Sequence, residues 1–355
     1  MKLCYVTSRY RPHIGGVETH VAELATRFAD RGHEVVVVSA DRGTRGDGRR
    51  LPAHEYVDGV WVKRVRALAP GGAVHVSPAV LRAVERVDPD LVHAHNYHSL
   101  PLTFAAAAVE RLDDVPLVVT PHYHGGSASG LRDHLLSLYR PIGKWALHRA
   151  DAVLAVSNWE ARQLANDFDL SAQVVPNGVN VGRFRAAVPA TGPSDHPYLL
   201  CVGRLERYKG VQHAIRALVD LPEYDLVVAG TGPFDEDLQR IAIEAGVDDR
   251  VTFAGFIPDE DLPSLYTGAA AFLALSSFEA YGITVAEALA AGTPCVVREA
   301  GALVDWADRS DCVGVTPDGV AEGVREAVER PAPTGSLPTW GDVAEQVATV
   351  YGAVQ

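Results

Sequence analysis

Short apolar runs alternate with longer amphipathic stretches along the whole chain, and this alternation restricts the fold more than any other feature. Residues 2–8 form a first strand-like run. Residues 17–31 then place Val17, Val21, Leu24 and Phe28 at helical spacing, ending at Gly32-His33. Val35, Val36, Val37 and Val38 form the next strand, and further strands are expected at 60–65, 91–94, 117–120, 152–156 and 173–175. Near-continuous apolar strands separated by helices predict parallel sheets covered on both faces.

A composition shift at 184–197, rich in proline and small polar residues, reads as an interdomain linker. The pattern then restarts. Strands are expected at 198–202, 225–229, 251–254, 270–275 and 294–297, with helices at 210–218, 235–245 and 285–291. The expected organisation is therefore an N-terminal domain at 1–183, a linker at 184–197, a second domain at 198–335 and a final helix at 336–355. Trp340, Val343, Ala344, Val347, Ala348 and Tyr351 form an apolar helical stripe that must cover something. The proline-rich 330–338 stretch leading into it is suited to carry the chain back to the first domain.

Composition removes several classes of function. No apolar run approaches the roughly 20 residues of a membrane-spanning helix. The N-terminal apolar run is short and lacks a cleavage signature, which predicts a cytoplasmic protein. Cys4, Cys201, Cys295 and Cys312 lie far apart, without the spacing of a zinc ribbon or disulfide framework. A net charge of −13 argues against a nucleic-acid partner. Only four of the 32 basic residues are lysine (Lys2, Lys63, Lys144 and Lys209), a balance that fits a protein adapted to high salt.

The chemistry-bearing residues gather in a few segments. Residues 203–210 stand between a strand and a helix, where helix-start amides attract anions, and Arg204 and Lys209 add two cations suited to a pyrophosphate. Gly15 and Gly16 make the matching turn after the first strand, although not in the dinucleotide-binding pattern. Residues 276–287 carry Glu279 and Glu287. Thr284 with Glu287 has the spacing of a capping box, which would account for Glu287 structurally, whereas Glu279 has no such explanation. If an anion sits at this helix start, the amides of Gly282, Ile283 and Thr284 can meet its oxygens. Paired carboxylates also occur in glycosidases, but the cationic turn has no use there. His93 and His95, like His122 and His124, share a strand face at strand ends; a polar cleft lining is favoured over a metal site. The segment 131–149 interleaves Arg132, Arg140, Lys144 and Arg149 with leucines and Trp145. It is read as a core helix with a solvated face, or as a contact with an anionic membrane surface.

Together these motifs resemble glycosyltransferase family 4, over nearly the whole chain. The run from Phe278 through Gly292-Thr293-Pro294 matches the family's two glutamates, with seven residues between them, and its following Gly-x-Pro. Gly203-Arg204 with Lys209-Gly210, Gly15-Gly16-Val17-Glu18, Pro176-Asn177-Gly178-Val179-Asn180 and Gly230-Thr231-Gly232-Pro233 match in the family's order. The resemblance implies the GT-B fold: two Rossmann-like, doubly wound parallel-sheet domains facing a central cleft, with the C-terminal helix crossing back. It implies a retaining glycosyltransferase that takes a nucleotide-sugar donor and a glycan or lipid-linked acceptor, with no metal or other cofactor. Arg204 and Lys209 would bind the diphosphate, Glu287 the ribose, Glu279 the transferred sugar, and Gly16, beside Gly15, a phosphate. The backbone near Ile257 would read the base, and His122 would sit beside the sugar's reactive face. One departure stands out: the loop after the Gly-x-Pro usually has Gly-Gly followed by a glutamate, and here Ala300-Gly301-Ala302-Leu303-Val304-Asp305 lacks the glutamate. A nucleotide-sugar epimerase of the same architecture, or a non-catalytic subunit, would share these motifs.

Overall fold

The computed structural model describes residues 1–42, 50–68, 76–125 and 130–355, with backbone alone for 130–136. The chain divides into two compact units, residues 1–178 with 340–355, and residues 179–339.

The first unit runs β1 (Lys2–Val6), α1 (Gly16–Asp30), β2 (Glu34–Ala40), β3 (His54–Val57), β4 (Val60–Val65), α2 (Ala79–Val87), β5 (Leu91–His95), α3 (Pro101–Val109), β6 (Leu117–Thr120), α4 (Gly130–His148), β7 (Ala152–Ala155), α5 (Asn158–Phe168) and β8 (Gln173–Val174). Its sheet has the order β3-β4-β2-β1-β5-β6-β7-β8, parallel except for the β3–β4 edge pair. β1 lies between β2 and β5, with Tyr5 opposite Val37 on one side and His93 on the other. Leu3, Leu91 and Leu117 are fully buried, each worth about 1.5–3 kcal/mol of transfer free energy. The edge strand β3 escapes a pattern-based reading because His-Glu-Tyr-Val alternates only between half-buried and exposed.

The second unit runs α6 (Val181–Arg185), β9 (Tyr198–Val202), α7 (Val211–Ala217), β10 (Asp225–Ala229), α8 (Asp235–Ala245), β11 (Val251–Gly255), α9 (Leu262–Gly268), β12 (Ala271–Ala274), α10 (Ile283–Ala290), β13 (Cys295–Arg298), α11 (Leu303–Ala307), β14 (Cys312–Val315) and α12 (Val320–Glu329). Its six strands are ordered β11-β10-β9-β12-β13-β14, all parallel. The segment expected to link the domains, 184–197, lies inside this unit. Phe184 is buried, and the Ala190 amide donates to the Ser264 carbonyl at 2.8 Å. Its loop-like composition is real, but the loop packs on α9, so the boundary falls at residue 178.

The last helix, α13 (Trp340–Val354), belongs to the first unit. Its apolar stripe lies on α1. Tyr351 packs on Phe28 with ring centroids 5.1 Å apart, and its hydroxyl bonds Tyr5 Oη at 2.9 Å and His93 Nδ1 at 2.7 Å. His93 completes the chain at Thr120 Oγ1, 2.8 Å away. His93 is thus a satisfied core histidine. Tyr351→Phe leaves two buried polar groups short of a partner, so the variant is expected to lose about 1–3 kcal/mol of stability in urea denaturation. A loss below about 0.5 kcal/mol would show that this network contributes little.

Candidate functional site

In the second unit, the turn after β9 is shaped by close backbone packing. Gly203 has φ +145° and Gly230 φ +140°, and a Cβ on Gly230 would stand 1.8 Å from the Gly203 carbonyl oxygen. A Cβ on Gly232 would stand 2.1 Å from that of Leu205. The Leu205 amide donates to Thr231 O at 3.1 Å. The Gly230-Thr231-Gly232-Pro233 motif is therefore the floor on which the 203–205 turn rests. Gly210, at φ +77°, lets the chain pass against Leu275, whose carbonyl oxygen would be 2.0 Å from a Cβ there.

This folding brings Arg204, Lys209, Ser276, Glu279 and Thr284 to the wall of one recess at the carboxyl ends of β9 and β12. Lys209 Nζ donates to Glu279 Oε1 at 2.5 Å, and Ser276 Oγ donates to the same oxygen at 2.9 Å. Burial works to lower the Lys209 pKa, but the Glu279 carboxylate outweighs it and holds the amine above its usual value. Arg204 is exposed beside it, 2.9 Å from Glu206 Oε1. Tyr208 and Phe278 stack at 4.1 Å and tie the two segments together. The loop that departs from the family pattern also serves the site. The Ala302 amide donates to Glu279 O at 3.0 Å, and a Cβ on Gly301 (φ +57°) would stand 2.8 Å from the Glu279 nitrogen. It is a backbone clamp on Glu279 that needs no side chain of its own.

The capping-box explanation of Glu287 does not hold. α10 begins at Ile283 with Gly282 as its N-cap, at φ 94°, ψ 55°, where a left-handed glycine turns the chain sharply. Thr284 is one residue inside the helix, so the expected reciprocal bonds have no place to form. Glu287 Oε2 instead accepts from Tyr266 Oη at 2.9 Å, and burial pushes its carboxyl up to about 7 against that bond. By position, the Ile283 and Thr284 amides have no intrahelical partner and are available to an anion. Glu287 and Ile257 stand outside the recess. Ile257 follows β11 half-buried, beside the exposed Phe256.

In the first unit, Gly15 and Gly16 start α1 after β1. A Cβ on Gly16 would meet nothing within 4 Å, so its backbone is open to approach. Over Gly15 lies the carboxylate of buried Glu18, 2.9 Å from Arg9 Nε. His122 stands two residues past β6, buried, at φ +48°. His95 and His122 meet His20, from the second turn of α1. His20 was missing from the sequence reading because its only signal there is helical spacing. His98 and His124 stack separately at 3.9 Å.

No helix among the described residues is long and apolar enough to cross a membrane. Within the basic stretch at 131–149, the side chains of 131–136, Arg132 among them, lie outside the described residues. The rest of α4 exposes Leu138, Ile142 and Trp145 in one stripe, with Gly143, Ala146 and Leu147 buried opposite.

Residues 14–183 match the family model described as Glycosyltransferase Family 4, and 187–332 match Glycosyl transferases group 1. Glycogen synthase of Mycobacterium tuberculosis is 30% identical over 94% of this chain and 87% of its own length. Sucrose-phosphate synthase from Thermosynechococcus elongatus superposes with a TM-score of 0.83, at 21% identity, over 99% of this chain and 98% of that one. Anabaena HepE in complex with UDP-glucose gives 0.77, at 19% identity, over 99% of this chain and all of that one. These structural neighbours share the GT-B fold.

The Glu287 pKa leads to a pH prediction. Between about 4.5 and 7 the folded protein keeps a proton that the unfolded chain has lost. Its contribution is therefore present at low pH and is lost as pH rises through that window. Urea midpoints of Glu287→Gln are expected to fall less steeply than wild type between about pH 5 and pH 8. Parallel slopes would contradict the buried, proton-holding carboxyl.

Proposed function

Because the chain belongs to glycosyltransferase family 4, we propose that it moves a sugar from a UDP- or GDP-linked donor to a glycan or lipid-linked acceptor, with retention of anomeric configuration. The observation that carries this reading is the convergence of Arg204, Lys209, Glu279 and the α10 start on one recess. Cations and free amides in one place suit a diphosphate whose negative charge grows as the sugar leaves. Glu279, held by Lys209 and Ser276, accepts from hydroxyls of the transferred sugar. Glu287 accepts from the ribose, and the backbone at Ile257 contacts the base. In the first unit, Gly15 and Gly16 offer backbone to a phosphate, and His122 faces the reacting sugar. The positive field comes from side chains and helix amides, so this reaction needs no metal. UDP-glucose bound to the similar Anabaena protein supports a uridine donor.

The exposed Leu138, Ile142 and Trp145 stripe, with Lys144 beside it, supports an acceptor presented at an anionic membrane surface, as in surface-polysaccharide or glycoprotein-glycan assembly on the cytoplasmic face. Co-sedimentation with phosphatidylglycerol vesicles is expected and should fall in Ile142→Glu. Absence of binding at the salt where the enzyme turns over would remove the membrane part.

Thermal denaturation with UDP, GDP, ADP and their sugar conjugates tests the donor site. One nucleotide is expected to raise the melting temperature, and Lys209→Ala should abolish the rise. Glu279→Ala should slow donor turnover about 100-fold or more. Full turnover in both variants would sink the site assignment.

A further inference from the structure

Three imidazoles meet inside the first unit: His20 from α1, His95 from the end of β5 and His122 from just beyond β6. One ring nitrogen of each lies within 4.8 Å of the others, and all three residues are buried. Among the described residues, His20 Nε2, both His95 nitrogens and His122 Nε2 have no hydrogen-bond partner. Among the described residues, no carboxylate or thiolate joins the group. Burial holds the His95 and His122 imidazoles well below their usual pKa, so neutral rings meet here and can orient one another.

Among the described residues, His20 is the one of the three tied by its ring. Its Nδ1 is 2.6 Å from Asn177 Oδ1, on the loop after β8. Burial pushes the His20 imidazole down to about 4, so near neutral pH it carries one ring proton. The Asn177 oxygen can only accept, so that proton is on Nδ1, and Nε2 turns a lone pair into the cluster. Trp340 of α13 packs edge-on against the same ring at 5.7 Å.

His122, by contrast, holds an unfavourable backbone. Its φ of +48° is left-handed, costing a residue with a side chain about 1–2 kcal/mol. Such conformations persist where the surroundings over-determine them. Two supports are visible. The next amide, Tyr123 N, donates to the buried Glu160 carboxylate at 2.5 Å. On the side-chain side, the His20 ring stands edge-on to His122, with centroids 4.9 Å apart and planes at 83°.

We propose that His20, held in place by Asn177, is a positioning residue for His122, setting the orientation in which that imidazole meets the transferred sugar. This rests on the role proposed for His122. It gives the Pro-Asn-Gly motif at 176–178 a function beyond ending a strand: Asn177 reaches across the fold to fix a ring on α1.

The test measures nucleoside diphosphate release from UDP-glucose or GDP-mannose, whichever stabilises the wild type more, well below the melting temperature. Asn177→Ala and His20→Phe are expected to lower kcat about 10- to 100-fold, since small misplacements of a reacting group cost this much. The donor KM should stay within about twofold, because the donor recess is untouched. Asn177→Asp keeps an acceptor for Nδ1–H and should restore most of the rate. Because His20 acts through His122, Asn177→Ala/His122→Ala should be no slower than His122→Ala alone. Full kcat in both single variants, or losses that multiply in the double variant, would overturn the inference while leaving the transferase reading intact. A His122→Ala enzyme at wild-type rate would remove the role of His122, and this inference with it. If Asn177→Ala does not fold, His20→Phe and Asn177→Asp decide the matter.

Discussion

Parallel strand pairing is the constraint on which the rest depends. When every strand of a sheet points the same way, every strand-to-helix turn falls at the same edge. Gly15, Gly16 and His122 follow strands at that edge of the first unit, as Arg204, Lys209 and Glu279 do in the second. Residues 70 positions apart, such as Lys209 and Glu279, meet at 2.5 Å because their strands β9 and β12 are paired neighbours. Glycines where a Cβ would strike a carbonyl let these turns lie against one another.

Electrostatics then distinguish the carboxylates. Glu279 is held by Lys209 and Ser276 in a half-buried recess, and its carboxylate keeps the lysine amine above its usual pKa. Glu287, buried against Tyr266, is pushed up to about 7. Glu160, fully buried, is pushed up to about 8 despite accepting from two backbone amides, and serves as an anchor for the loop that carries His122. Glu287 and Glu160 thus hold their protons more tightly than an exposed carboxyl, because burial outweighs their hydrogen bonds.

Much of the fold was legible in the sequence. Buried parallel strands read as continuous apolar runs, and helix α8 was expected at its observed bounds, 235–245. The edge strands β3 and β14 were missed because a short strand at the rim carries little pattern. The linker was misplaced because a proline-rich loop has the same composition whether it crosses between domains or packs against a helix. At the site, the charged residues and glycines were legible by type and order. The capping-box reading of Thr284 and Glu287 failed because spacing does not say where a helix starts.

By itself, the sequence determined the α/β class, the family, the final helix and the identities of the polar residues, since these follow from periodicity and motif order along one strand of text. Only the tertiary structure decided which partner each polar residue keeps. It put Glu287 on Tyr266 rather than on its own helix start, Tyr351 on His93, and Asn177 on His20 across 157 positions. The reason is physical: a buried hydrogen bond depends on distance and direction between atoms, and sheet pairing sets these between segments whose separation in sequence carries no trace of them.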